Sequence, residues 1–275
     1  MWKRFDPSRP LAVVIGAVVA GLLAGLVASV LLTFTAEPVI DRAIALEESR
    51  HAAASDGDHG GAQAEGGVTE LVSRPQQKGV GRFAAYSLGG AAYGVLFGIA
   101  FLALRRRPGE AEGAFRHALL AAGFTATAFT VMPFLKYPPN PPAVGDPATI
   151  SERQWKYLAL IFMSVVILAA GARLSTRLRE RQWVDHERLI AVGLAVVVPL
   201  GVLGAALPPY SDSVDFPADL LWRFRIATLG GNLLLWTVLA VTFGAAAVRR
   251  ERELAAPAAE PTPAAGPALR PAATP

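Results

Sequence analysis

The chain has no cysteine, only three methionines and little charge: 17% of its 275 residues are Asp, Glu, Lys or Arg, against about 25% in a soluble domain. Without cysteine there are no disulfides, thiolate metal ligands or thiol nucleophiles. With so little thioether sulfur besides, a soft Cu(I) site is not expected. Chemistry-bearing motifs are also missing. No G-x-x-x-x-G-K-[ST] is present to cradle ATP phosphates, and no H-E-x-x-H to bind a hydrolytic zinc. There is no convincing G-x-S-x-G and no buried acid–base pair, so an enzyme is not expected. The formal charge of +4 and the pI near 9.7 form no single basic patch, because positive charge alternates between connectors. Nucleic acid is therefore not an expected partner.

Apolar sequence fills the space. Hydrophobic residues make up 53% of the chain, and the mean hydropathy is +0.39. A hydrocarbon core about 30 Å thick needs roughly 20 apolar residues per helix. Six segments qualify, near Leu11–Phe34, Phe83–Leu104, Ala118–Leu135, Tyr157–Leu174, Leu189–Leu207 and Ile226–Val248. The first is longer than a secretory h-region and no A-x-A site follows it, so it reads as a retained helix. Lipid offers backbone groups no hydrogen bonds, which demands helices; the runs are too long, and too little alternating, for barrel strands. The expectation is an all-α polytopic helical bundle over residues 1–250, embedded in membrane lipid. A flexible outer loop is expected at 49–79, around "ASDGDHGGAQAEGG", and a disordered Pro/Ala-rich tail at 251–275. No span carries an acidic or basic residue inside its apolar core, so a proton relay through the membrane is unsupported.

Basic residues set the orientation. Lys3, Arg4 and Arg9 precede the first span. Arg105, Arg106, Arg107 and Arg116 follow the second. Arg177, Arg179, Arg181 and Arg188 follow the fourth, and Arg249, Arg250 and Arg252 follow the sixth. These segments share one side, which is expected to be cytoplasmic, with both termini inside.

Within the spans, Gly21 and Gly25, and then Gly90, Gly94 and Gly98, fall at four-residue steps. Such spacing makes a smooth helix face for close packing, either inside the chain or against a second copy or a partner helix. Pro133 and Pro199 can kink their helices. Thr125, Thr127, Thr130, Ser164, Thr228 and Asn232 can line a path or make interhelical hydrogen bonds.

The informative polar residues gather on the outer side. "FTAEPVID" contributes Glu37. "KYPPNPPAVGDP" contributes Lys136, Tyr137, Asn140 and Asp146 in a proline-stiffened loop, and "LPPYSDSVDFPADLLWRFR" contributes Tyr210, Asp212, Asp215, Asp219, Arg223 and Arg225. Proline fixes φ and lowers the entropy lost when a loop is ordered. Carboxylates converging from several loops would suit a hard or borderline divalent cation. They can equally pair with arginines, as Asp219 and Arg223 would four residues apart on a helix. Lys136 reads as snorkelling to the interface. His51 and His59, with Asp56 and Asp58, make a loose metal trap or an incidental hydrophilic linker; His117 and His186 read as solvated on the cytoplasmic side.

Three stretches, "AEPVIDRA", "KYPPNPPAVGDPATISERQ" and "FPADLLWRFRIATLG", resemble the CbtA family of predicted bacterial cobalt transporter subunits. The resemblance covers nearly the whole chain apart from the flexible part of the first loop and the tail. It implies import of Co2+ for cobalamin synthesis beside a small one-helix, histidine-bearing partner, CbtB, with no permanently bound cofactor. Family members are often described with about five spans; six are read here. The residue roles come from chemistry and position: Asp146, Asp212 and Asp215 as oxygen ligands, Glu37 at the mouth, His51, Asp56, Asp58 and His59 as a local trap, and the proline-rich loop as an outer lid. A non-transporting scaffold or accessory subunit is the alternative.

Overall fold

The computed structural model describes residues 9–55, 77–105, 113–141, 149–209 and 216–255. Among them there is no strand. The helices are α1 (Pro10–Thr35), α2 (Glu37–Ser55), α3 (Arg82–Arg105), α4 (Ala114–Lys136), α5 (Ile150–Glu180), α6 (Asp185–Ala206) and α7 (Ala218–Ala255). All except α2 belong to the 6 helices long and apolar enough to cross a membrane.

Each helix outruns its apolar run. α5 has 31 residues, about 46 Å at 1.5 Å per residue, well beyond the hydrocarbon. Hydropathy marks only the length within lipid. Helical hydrogen bonding continues into the polar ends, where charged side chains pair along the surface. Two expected boundaries move for this reason. The loop expected at 49–79 is helical through Ser55, because the chain turns at Ala36 and continues as α2. The tail expected from 251 is helical through Ala255. There Arg249 and Arg250 both pair with Glu253, while Glu251 reaches Arg105 of α3 at 2.6 Å.

The bundle centre is α1 against α3 and α7, with α4 closing on α7. Burying apolar surface gains little in lipid, so close contact and dispersion must hold the helices. α1 offers a stripe of small residues, Ala17, Ala20, Ala24 and Ala28, all wholly buried. Gly21, Gly25, Gly90 and Gly94 bring the α1 and α3 backbones together: a Cβ on Gly21 would lie 2.1 Å from the Gly90 carbonyl oxygen. Gly98 packs more loosely on the same seam, its nearest neighbour being the Ala17 side chain. Toward the end of the bundle that carries Arg105, Phe97 and Phe101 meet Phe243 edge-on at 5.1 and 4.9 Å between centroids.

His117, expected to be solvated, is buried there, with 1% of its surface exposed and its ring edge-to-face on Phe101. It lies in the first turn of α4, on the face that packs into the aromatic cluster. α5 and α6 form a peripheral hairpin whose turn places Gln182 at φ 59, with Trp183 N–H donating to the Leu178 carbonyl at 3.0 Å, a left-handed helix C-cap. α6 is mainly exposed apolar surface; Leu200 is its one buried residue.

Candidate functional site

At the end assigned to the outside by the charge pattern, the described connectors are pinned to one another. α4 changes character before it ends. Thr127–Val131 forms a π-helical turn, followed by Pro133, which has no N–H and leaves a carbonyl of the preceding turn without its helical donor. The helix stops at Lys136, whose ammonium lies 5.9 Å from the Tyr137 ring centroid. Tyr137 is buried, and its hydroxyl donates to the Pro208 carbonyl at 2.9 Å, joining the connector after α4 to the one after α6. Burial raises the Tyr137 pKa above the ordinary phenol range, with Lys156 acting in the opposite sense. The phenol therefore stays a hydrogen-bond donor at neutral pH. Lys156 also donates to the Pro209 carbonyl at 3.4 Å and pairs with Glu152 at 2.5 Å.

The second tie comes from α7. Arg225 donates from Nη2 to Asn140 Oδ1 at 2.9 Å and from Nε to the Pro139 carbonyl at 3.3 Å. Asn140 thus anchors the proline-rich connector. Asn140→Ala is expected to remove a charge-assisted hydrogen bond worth roughly 1.5–3 kcal/mol. Hydrogen exchange should show faster exchange of the Tyr137 and Asn140 amides, with α3 unchanged.

Below this latch lies a cavity of about 150 Å³, bounded by Tyr93, Thr130, Tyr137, Tyr157, Thr228 and Asn232 among others. Beside it an open groove of about 650 Å³ runs between the proline-rich connector and the start of α5. The two share Tyr137, Pro139 and Tyr157 as walls.

The span hydroxyls bond mainly within their own helices. Thr125, Thr127, Ser164 and Thr228 donate to carbonyls four residues back, and Asn232 Nδ2 donates to the Thr228 carbonyl. The interhelical role expected of these residues holds for Thr130, which accepts from Trp236 Nε1 at 2.8 Å. A hydroxyl on a helix reaches its own preceding turn more easily than a neighbour.

Of the residues expected to form a metal site, only Glu37 and His51 fall among the described residues. Asp56, Asp58, His59, Asp146, Asp212 and Asp215 lie outside the described residues. His51 stands near the end of α2, and its side chain is not described. Glu37 faces Arg82, Oε1 to Nη1 at 3.1 Å, with the two side chains 14% and 10% exposed; an arginine already engages the carboxylate expected at the mouth. Asp219 and Arg223 are exposed and form no ion pair with each other. Arg223 instead borders a groove of about 510 Å³ with Phe34, Pro38, Arg42 and Trp222. Among the described residues no group of three or more His, Asp or Glu is placed to hold a metal.

Arg225 is noticeable in the sequence beside Arg223, but sequence reasoning gave a role to Arg223 alone. Two positions on a helix differ by about 200°, so only one of the pair can face inward. The available signal was the spacing Arg225, Thr228, Asn232, Trp236, a polar and aromatic stripe on one face of α7.

A bundle in which six helices are long and apolar enough to cross a membrane is the architecture of a polytopic membrane protein. Residues 12–248 match the model of the family described as "Probable cobalt transporter subunit (CbtA)", and the chain belongs to that family. No curated protein and no solved structure matches it.

Proposed function

We propose that the chain imports Co2+ from outside to cytoplasm across a bacterial cytoplasmic membrane, in support of cobalamin synthesis. The family match over residues 12–248 carries this reading. In it, Asp146, Asp212 and Asp215 collect the ion at the outer face, and His51, Asp56, Asp58 and His59 raise its local concentration. The latch of Tyr137, Asn140 and Arg225 stands closed, because a guanidinium on the route opposes a cation until it moves. Glu37 serves this reading better as the partner of Arg82 than as a ligand.

The description "subunit" favours a second reading, in which the chain is an accessory part of a complex. A one-helix CbtB-like partner, or a second copy, would then need an apolar surface. The α1–α3 glycine seam is covered within the chain, whereas α5 and α6 expose theirs.

Radioactive cobalt uptake into cells without their own cobalt importers tests both readings, with the chain expressed alone and with its one-helix partner. Saturable uptake by the chain alone is the result expected for a permease. Uptake only with the partner assigns it a share of the path, and none in either case removes the import reading.

A further inference from the structure

The latch and the outer loops do not account for the cavity beneath them. Its walls are unusual for membrane depth. Tyr93 and Tyr157 are only partly buried, and their hydroxyls make no hydrogen bond to the protein. Asn232 commits its amide nitrogen to the Thr228 carbonyl and leaves Oδ1 without a protein partner. Thr228 donates its proton to the Phe224 carbonyl, which leaves its oxygen lone pairs available. An uncommitted polar group in a low-dielectric interior is costly, so several on one small cavity point to something polar held there.

The backbone agrees. The π-helical turn and Pro133 sit in the wall, and irregular backbone at membrane depth is tolerated where it lines a polar cavity. The last turn of α4, through Pro133, Phe134 and Tyr137, also borders the space. A helix C-terminus carries partial negative charge and favours cations. The donor set is therefore neutral oxygen together with a helix C-terminus, and it contains no carboxylate.

We propose that this cavity is an intramembrane station for a divalent cation that keeps part of its water shell. The inference rests on the cobalt-import reading and places its ion within the bundle. A volume of about 150 Å³ exceeds the ~30 Å³ share of one water several-fold, so hydrated metal fits. The oxygens of Tyr93, Tyr157, Thr228 and Asn232 accept hydrogen bonds from the ion's waters or replace some of them. Neutral ligands bind weakly. Conduction requires binding weak enough for the ion to leave. The nearby cation Arg225 lies above, in the latch, bonded to the carbonyl of Pro139, a residue of the cavity wall.

Trp236 reports on the cavity. It is 2% exposed, its ring lies 4.9 Å from that of Tyr93, and it bonds Thr130 in the wall. The test uses the full chain in lipid nanodiscs, with Trp2, Trp155, Trp183 and Trp222 replaced by Phe so that Trp236 alone fluoresces. Cobalt chloride should quench it saturably. Tyr93→Phe with Tyr157→Phe, which preserves shape, should weaken the midpoint about 10- to 100-fold, as removing supporting groups around a metal does. Asn232→Leu should do the same, and if it fails to fold the tyrosine pair decides. No saturable quenching, or a midpoint unmoved in the variants, overturns the station. Uptake of radioactive cobalt by the same proteins separates the two ideas. Quenching without uptake keeps the station and removes import, whereas uptake without quenching keeps import and removes the station.

Discussion

Gly90→Ala, a single added methyl, is expected to unseat α1 from α3 and leave little folded protein. A Cβ at that position would lie 2.2 Å from the Gly21 carbonyl oxygen and 3.0 Å from Gly25 Cα. Both neighbours are backbone within a helix, so neither can rotate away as a side chain would. The helices must separate along a seam where Gly21, Gly25 and Gly94 make equally close approaches. Overpacking a core against side chains costs about 1–3 kcal/mol; against two rigid backbones the cost should reach at least the top of that range. Gly89 provides the control. It faces away from the seam, and a Cβ there meets nothing within 4 Å. Gly89→Ala should be neutral or stabilising by up to about 1 kcal/mol, since Ala is the better helix former. Thermal unfolding of the two variants in the same detergent, followed by size exclusion, checks the contrast. Equal melting temperatures would mean that the seam is not where the bundle is held.

Glu37→Ala should be nearly as damaging, through charge rather than shape. Arg82 is 10% exposed and pairs with Glu37 at 3.1 Å. Its Nε is already buried without a hydrogen-bond partner, and its guanidinium lies 5.0 Å from the Phe83 ring centroid. Removing the carboxylate strands a buried cation, a change that typically costs about 3–5 kcal/mol. Glu37→Leu combined with Arg82→Leu should recover most of the loss, because an apolar pair of similar bulk avoids the desolvation of both charges. A double-mutant cycle on melting free energies reads the coupling directly. Destabilisation by Glu37→Ala that Arg82→Leu does not relieve would assign the carboxylate another role, and an undiminished loss of cobalt uptake in a stable double variant would return it to the ion path.

These residues show where sequence reasoning reached its limit. The glycine steps were visible, but spacing alone left their partner open among the same chain, a second copy and another subunit. Only the geometry shows α1 against α3. The carboxylate Glu37 was visible at the helix boundary, but Arg82 lies beyond a long connector and nothing local joins them. His117 stood among basic residues and read as solvated, yet the rotation of α4 turns it into the aromatic cluster. Arg223 and Arg225 are two positions apart, and the rotation of α7 determines which of them reaches Asn140.

By itself, the sequence determined the number of spans, their approximate places and the helical class. Lipid forces each run of about 20 apolar residues to satisfy its hydrogen bonds within itself, and that property is local. Tertiary structure decided which carboxylate was already paired, which arginine reaches Asn140, and that Tyr93, Tyr157 and Asn232 share one cavity. These facts depend on the rotation and axial offset of helices far apart in the chain. Close contacts between backbones and long side chains set those offsets, and hydropathy along one segment does not encode them.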